Sequence, residues 1–407
     1  MTHRIYYSDP TCSSFDAVVT RAFVYDGRPA ALLDRTAFYP TSGGQPYDTG
    51  RLGAADVLET VDLETGEIAH VLSAPLGEGE RVHGEIAWGR RFDHMQQHTG
   101  QHLLSAAFDR LFENRTMSFH MGGDSSTIDL GDEASPDAIV RAELEANRVV
   151  WEDRPVSIRF VSAEEAATLP LRKEPAREGT LRLIDVADFD LSACGGTHVA
   201  RTGAIGIIAV TGWERFRGGT RLAFVCGGRA LRSFRTFRDT VTATIRSLSV
   251  LPEELPAALD RMQAESRELR RSVKTFQEAL ASHEAARLVG TAPAIAGVRV
   301  LVQPLDGWDA AGLKAVASAA TAGDRVVAAL ISTVPPIVAV VARSKAVSVD
   351  AQAVLAELVR QFGGRGGGKP DLAQGGGLTG TAEQIAAAAR AAIEAQLHHD
   401  SHEGTKQ

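Results

Sequence analysis

Cysteine is scarce in this chain. Three cysteines among 407 residues (Cys12, Cys194 and Cys226) are too few for a disulfide framework, which excludes a disulfide-stapled secreted scaffold. No uninterrupted apolar run reaches the roughly 18 residues a membrane span requires, and the opening MTHRIYYSDP lacks the apolar stretch of a signal peptide. The expectation is a folded cytoplasmic protein with no membrane partner. Excess positive charge is missing as well. A formal net charge of −8 excludes non-specific coating of nucleic acid, so any RNA contact must be local. The charge is nevertheless uneven: Arg201 to Arg246 holds nine arginines against two acids, Glu214 and Asp239. That segment is either an anion-docking face or a solvated helix. With 44% hydrophobic residues, the chain can build cores for two or three domains.

Hydrophobic periodicity divides the chain. Residues 1–90 alternate short apolar stretches (FDAVVTRAFV, RPAALLD) with turn signals (YDGR, SGGQ, TGRLG), which predicts an antiparallel, barrel-like β domain. From Asp93 to Phe112 the period becomes helical, with Leu104, Ala107, Phe108 and Leu111 on one face and Asp93 and Gln96 as a capping pair. Gly100 inside that helix marks a close approach by another part of the chain. A helix over 135–150 and strands at VSIRFV, LRLIDV and IGIIAV complete an α+β unit over 91–240. In the linker, 241–290, Leu255, Leu259, Met262, Ser266, Leu269, Val273, Phe276, Leu280 and His283 alternate spacings of four and three, the mark of a helical seam. The seam must pack on another helix. That mate is either the arginine-rich segment 229–248 or a second copy, so a homodimer through the linker or the C-terminal domain is one arrangement implied. Residues 291–407 read as a small α/β domain: strands VRVLVQ, RVVAALI and IVAVVA alternate with helices near 309–322, 350–362 and 381–396. The final HHDSHEGTKQ reads as a frayed tail whose histidines carry no function.

Two residue pairs carry chemistry. In HTGQH, His98 and His102 lie one helical turn apart and project from one side of the helix. His94 lies another turn back and ranks below them, because four donors are available without it. In CGGTH, two glycines let a tight loop turn both Cys194 and His198 toward one ion. Zinc takes this mixture of imidazole nitrogen and thiolate sulfur, and four donors satisfy its tetrahedral preference. With 91 residues between His102 and Cys194, this is no compact zinc finger; the site joins distant elements of a larger fold. Spacing leaves open whether the ion is catalytic or only orients a substrate. Cys12 and Cys226 lack neighbouring histidines and read as packing residues.

HTGQHLL (98–104) and CGGTH (194–198), preceded by DRTAFYPTSGGQPYDTG (34–50), resemble the editing domain of alanyl-tRNA synthetase and its free-standing editing relatives over residues 1–240. FGGRGGGKPDLAQGGG (362–377) resembles the glycine-rich core of the C-terminal domain of the same family. The resemblance implies an α+β fold with a β-barrel-like N-terminal domain, a zinc-binding editing domain, a helical linker and a C-terminal α/β domain for tRNA binding or dimerisation. It assigns His98, His102, Cys194 and His198 as zinc ligands. His98 and His102, with Thr36 and Gln45, form the implied catalytic set. Thr36 senses the amino acid, and Gly43, Gly44 and Gln45 form the adjacent substrate-binding motif. The implied partner is tRNA(Ala) mischarged with serine or glycine, from which hydrolysis releases the wrong amino acid.

The glycine-rich tail also contains a decoy. GGRGGGK matches the first part of a phosphate loop, but Pro370 follows in place of the Ser or Thr hydroxyl, and the preceding segment reads as a helix, not a strand. Eight glycines in the fifteen positions 363–377 read either as a structural turn or as a loop whose amides, with Arg365 and Lys369, meet RNA phosphates. Arg217 and Arg221, followed by Arg229 and Arg232, are the further candidates for tRNA contact. The competing functions are editing of Ser-tRNA(Thr) and non-catalytic tRNA binding with a structural zinc.

Overall fold

A computed structural model describes residues 2–172 and 179–403. The chain splits into two compact units, Met1–Ser247 and Leu248–Gln407.

In the first unit, strands β1 (Ser14–Tyr25), β2 (Arg28–Leu33), β3 (Gly50–Leu52), β4 (Ala55–Asp62), β5 (Ile68–Leu72) and β6 (Arg81–Ile86) close into a barrel in the order β1-β2-β5-β4-β3-β6. Alternating residues of these strands, including Phe15, Val19, Leu33, Leu52, Val57 and Val82, fill its interior, as period-two patterning requires. Helix α1 (Trp88–Phe112) follows directly. It begins five residues before the expected start, so Asp93 and Gln96 are interior residues and do not cap it. Their polar groups have other partners: Asp93 accepts from Arg229 at 2.7 Å, and Gln96 donates to the Ala204 carbonyl at 2.9 Å. The buried Arg91 ties the start of the helix to the barrel. Its Nε donates to Asp48 at 3.0 Å and its Nη1 to the Pro10 carbonyl at 2.8 Å, while the amide of Tyr39 donates to the same Asp48 carboxylate at 2.7 Å.

Helix α1 lies in a core shared with β7 (Thr116–Met121), β8 (Ser126–Leu130), α2 (Pro136–Trp151), β9 (Val156–Val161), β10 (Leu181–Val186), β12 (Ile208–Phe216) and β13 (Gly219–Cys226), while β11 (Asp190–Ala193) packs with Val161, Leu181 and Leu183. One sheet runs β12-β13-β8-β7, the other β9-β10-β11. Helix α2 is capped by Ser135, whose hydroxyl accepts from the Ala138 amide, and has proline in its first turn, both favourable helix starts. Gly100 faces Cys226: a Cβ there would lie 2.3 Å from the Cys226 sulfur, the close approach its position predicts. Cys226 is fully buried, but Cys12 is only partly buried, because its thiol is directed to the Ser14 carbonyl, 3.2 Å away. The unit ends in α3 (Gly227–Leu248).

The second unit begins with α4 (Leu255–Thr291). Ala281, Ala285 and Leu288 of α4 pack with Leu313, Val316 and Ala317 of α5 (Ala310–Ala320), while Leu269, Val273, Phe276 and Leu280 of the seam are exposed. The sheet runs β14-β15-β16-β17-β19-β18, from strands β14 (Ala294–Ile295), β15 (Val298–Leu305), β16 (Val326–Ser332), β17 (Ile337–Arg343), β18 (Arg365–Lys369) and β19 (Leu372–Leu378). Helices α6 (Ala351–Phe362) and α7 (Ala382–Glu403) share a core with it. The glycine-rich stretch is a strand pair, not a loop: a Cβ on Gly366 or Gly368 would lie 2.6 Å from the Gly375 Cα or 2.4 Å from the Ala373 Cα. The glycines allow that close pairing. The expected frayed tail is partly helical, since α7 continues to Glu403; residues 404–407 and the side chains of His399 and His402 lie outside the described residues. Among the described residues, no helix is long and apolar enough to cross a membrane.

Candidate metal centre

Four side chains from two distant segments meet. The ligand atoms of His98, His102, Cys194 and His198 all lie within 4.8 Å of one another. The two histidines of α1 share a face, as their spacing requires, and the loop after β11 brings the other pair to them. Glycine is needed in that loop: a Cβ on Gly196 would lie 2.1 Å from His98 Cε1. His94 is buried, but it is not in the cluster, and its Nδ1 has no partner among the described residues.

Each imidazole is held by its outer nitrogen. His98 Nδ1 donates to Gln45 Oε1 at 2.8 Å, His102 Nδ1 to Asp190 Oδ2 at 2.8 Å, and His198 Nδ1 to Thr99 Oγ1 at 3.2 Å. The directions follow from the partners. Gln45 donates its own amide to the Thr197 hydroxyl at 2.7 Å while its Oε1 also accepts from the Thr197 backbone amide at 3.1 Å. Thr99 spends its proton on the Met95 carbonyl at 2.8 Å, so its oxygen accepts from His198. Bonds to Nδ1 leave Nε2 free as a ligand and fix the ring plane.

The donor set fits zinc. Metal–nitrogen and metal–sulfur legs of about 2.0 and 2.3 Å at a tetrahedral angle place N and S about 3.5 Å apart, and Cys194 Sγ lies 3.4 Å from both His98 Nε2 and His198 Nε2. The protonation states also suit a metal. Burial pushes the Cys194 thiol up, but His98, His198 and the hydrogen bonds from His102 and His198 outweigh it and hold the thiol well below its ordinary value. His198 is lowered to about 3 by burial and then by His98, and is neutral. His102 is pushed down by burial, but Asp190 and Cys194 raise it to about 9, so metal binding at neutral pH releases its proton.

Three of the four, His98, His102 and Cys194, line a cavity of about 200 Å³, and His198 lies outside its lining. Gly43, Gln101, Phe119, Arg172 and Ser192 are among its other lining residues. Gly43 and Gly44, with φ of +57° and +86°, are the central residues of a tight turn closed by Ser42 and Gln45 through bonds of 3.1 and 3.0 Å. Left-handed φ at both positions favours glycine. A Cβ on Gly44 would lie 2.9 Å from the Phe119 carbonyl oxygen. This turn holds Gln45 against His98.

Thr36 is fully buried and lies outside the residues that line this cavity. Its hydroxyl is 2.8 Å from His70 Nε2 and accepts from the Phe38 amide at 3.1 Å. His70 Nδ1 must carry the ring proton, because it meets the Ala31 carbonyl at 3.1 Å; the Thr36 hydroxyl therefore donates to Nε2. Of the basic candidates, Arg221 is paired with Asp129 at 2.7 and 2.9 Å and stacked on Phe216. Arg217, at φ +50°, approaches the same ring. Arg229 is 2% exposed, with its guanidinium committed to Asp93 and the Gly122 carbonyl, which removes it as an RNA contact. Arg232 is exposed, and Arg365 and Lys369 are exposed on edge strand β18.

Sequence reasoning missed Asp190, Thr99, His70 and Arg172. One signal was present for Asp190: in β11 the polar residues Asp190 and Ser192 are buried while Leu191 is only partly so, and Cys194 continues the same alternation. A polar stripe in phase with a metal ligand marks its supporting residues.

Comparison with known proteins follows the same two regions. Residues 181–222 match the threonyl and alanyl tRNA synthetase second additional domain, and residues 297–397 match the DHHA1 domain. An alanine–tRNA ligase of Methanoculleus marisnigri is 36% identical over 92% of this chain and 41% of its own length; one of Methanosarcina mazei is 33% identical over 95% and 43%. The chain thus spans about two fifths of these ligases. The alanyl-tRNA editing protein AlaX-L of Pyrococcus horikoshii is 31% identical, over 92% of this chain and 94% of its own length.

Proposed function

The chain belongs to the alanyl-tRNA synthetase family, which includes the editing protein AlaX-L, and on that premise we propose that it hydrolyses mischarged tRNA(Ala), chiefly Ser-tRNA(Ala), at the His98–His102–Cys194–His198 centre. The observation that carries this reading is the cluster of four donors, three of them imidazoles fixed through Nδ1, of which His98, His102 and Cys194 line a cavity. A volume of about 200 Å³ suits an aminoacyl ester and leaves the body of a tRNA outside.

Zinc, held by these four residues, would supply a Lewis acid for an ester or water oxygen. The chain does the rest by placement. Gln45, Asp190 and Thr99 keep the three rings from turning. The walls confine ester and water together, which lowers the entropic barrier to attack on an already activated acyl group. Water adds to the ester carbonyl, the acyl–oxygen bond breaks, and the ribose hydroxyl leaves with a proton, giving free serine and intact tRNA.

Selection of serine over alanine rests in this reading on Thr36. Its proton is committed to His70 and one lone pair to the Phe38 amide, so its remaining capacity is to accept. Thr36 is fully buried outside the cavity, so this selection requires the wall in front of it to part as substrate enters; a serine hydroxyl then donates to the remaining lone pair, and an alanine methyl offers nothing.

The test is zinc quantification on the purified full chain followed by serine release from Ser-tRNA(Ala), with Ala-tRNA(Ala) and Ser-tRNA(Thr) alongside. Zinc near one equivalent with preferential hydrolysis of Ser-tRNA(Ala) is expected. Preference for Ser-tRNA(Thr) would move the protein to threonine editing, and zinc with no hydrolysis of either would leave tRNA binding alone.

A further inference from the structure

Arg172 is not a ligand and was not anticipated, yet it lines the cavity beside three of the ligands. Its side chain is 14% exposed, whereas that of His102, which lines the same cavity, is 5% exposed. It lines the cavity, and among the described residues it is the one arginine or lysine to do so; no carboxylate lines it. The guanidinium is held rigidly. Nε donates to Asp190 Oδ1 at 2.6 Å and Nη2 to Asp190 Oδ2 at 3.3 Å. Nη1 has no partner among the described residues. Asp190 is buried behind it and also receives His102, so the cation is fixed in register with the metal centre.

We propose that Arg172 binds the phosphodiester of the terminal nucleotide of the substrate, and so seats the ester over the metal centre. The inference rests on the deacylase reading above. The difference in burial argues for it: the uncharged acyl linkage belongs beside the more buried ligands and the anion nearest to it beside the more exposed Arg172, whose Nη1 is unpartnered among the described residues. A guanidinium already clamped by a carboxylate loses little freedom in binding a second oxyanion, and a charge-assisted bond of this kind is among the stronger ones.

The experiment compares two small esters, 3′-O-seryl-adenosine with and without a 5′-phosphate, on the full-length wild type and on Arg172→Gln and Arg172→Lys, with zinc content measured for each. Wild type is expected to cleave the phosphorylated ester with a KM about ten-fold lower and kcat within two-fold. Arg172→Gln should lose that difference in KM whatever its rate on the unphosphorylated ester; Arg172→Lys, which keeps the charge, should retain part of it. A merely structural clamp on Asp190 would slow both esters equally. A wild type that cleaves both esters with equal KM, or a zinc-loaded Arg172→Gln that keeps the preference, overturns the proposal while leaving the deacylase reading intact. If Arg172→Gln does not hold zinc, Arg172→Lys decides: retained preference supports the phosphate contact and lost preference refutes it. A wild type inactive on both esters and on Ser-tRNA(Ala) removes the deacylase reading itself, and this proposal with it.

Discussion

Replacing Thr36 by valine removes one oxygen on which two buried groups depend. His70 Nε2 loses its donor and the Phe38 amide loses its acceptor, both at a fully buried position. An unsatisfied buried group costs about 1–3 kcal/mol, so with two of them the variant should be destabilised by about 2–6 kcal/mol. For a unit of this size, at roughly 2–4 °C per kcal/mol, that corresponds to a fall in Tm of about 4–24 °C. Thr36→Ser keeps both bonds and loses one methyl, so it should stay within about 1.5 kcal/mol of wild type. This stability loss confounds any single rate, because a partly unfolded variant slows on every substrate. The ratio of Ser-tRNA(Ala) to Ala-tRNA(Ala) hydrolysis on the same preparation cancels the folded fraction. We expect the ratio to narrow in Thr36→Val by about ten-fold, the worth of one hydrogen bond to a buried acceptor, and to be largely kept in Thr36→Ser. A Thr36→Val protein that melts with wild type would refute the network, and an unchanged ratio in folded protein would refute the sensor.

Burial lowers His70 to about 4, with the Ala31 bond acting in the opposite sense. The unfolded chain therefore takes up a proton near pH 6.5 that the folded chain refuses, and stability is lost as pH falls from 6.5 toward 4. The loss from this group is on the order of 3 kcal/mol; since His94 and His198 are lowered as well, denaturant midpoints across that range should fall in both proteins but by that much less in His70→Gln. Asp190→Asn should weaken zinc binding about 10–100-fold, measured by competition with a chromophoric chelator, and unchanged affinity would deny that carboxylate its part in orienting His102. Gly100→Ala gains about 1 kcal/mol of helix propensity but drives a methyl into the Cys226 sulfur. A net loss of about 1–3 kcal/mol is expected, recovered in the double variant with Cys226→Ala and measured by thermal unfolding.

Much of the first unit was legible because its signals are periodic. The barrel strands announce themselves by alternation, and His98 and His102 by the four-residue spacing that places them on one face of α1. Gly100 was legible too, since a glycine inside an amphipathic helix needs a reason, and Cys226 supplies it. The start of α1 was not. Trp88 to Phe92 carry no cap of their own; what fixes them is tertiary, the buried Arg91 on Asp48 and Pro10. The glycine-rich tail misled for a similar reason. Glycine permits a phosphate-binding loop and a close strand pair equally, and only the neighbouring chain, Ala373 to Gly376, decides between them.

The support of the imidazoles shows where reading a sequence stops. Four ligands can be found from two spacings, but a metal site also needs each ring to present Nε2, and here that is done by an amide, a carboxylate and a hydroxyl from three elements. These partners differ in charge. Gln45 and Thr99 only aim their rings, whereas Asp190 is held well below the usual carboxylate range, burial being outweighed by His102 and Arg172, and gives His102 a negative neighbour. Of the three nitrogen ligands, His102 is then the strongest donor, and His98 and His198, on neutral partners, the weaker ones. A four-ligand centre that must make room for a substrate oxygen needs one ligand to loosen or its coordination to expand. The asymmetry of the acceptors places that compliance on the two rings held by neutral partners, His98 and His198, and not on His102.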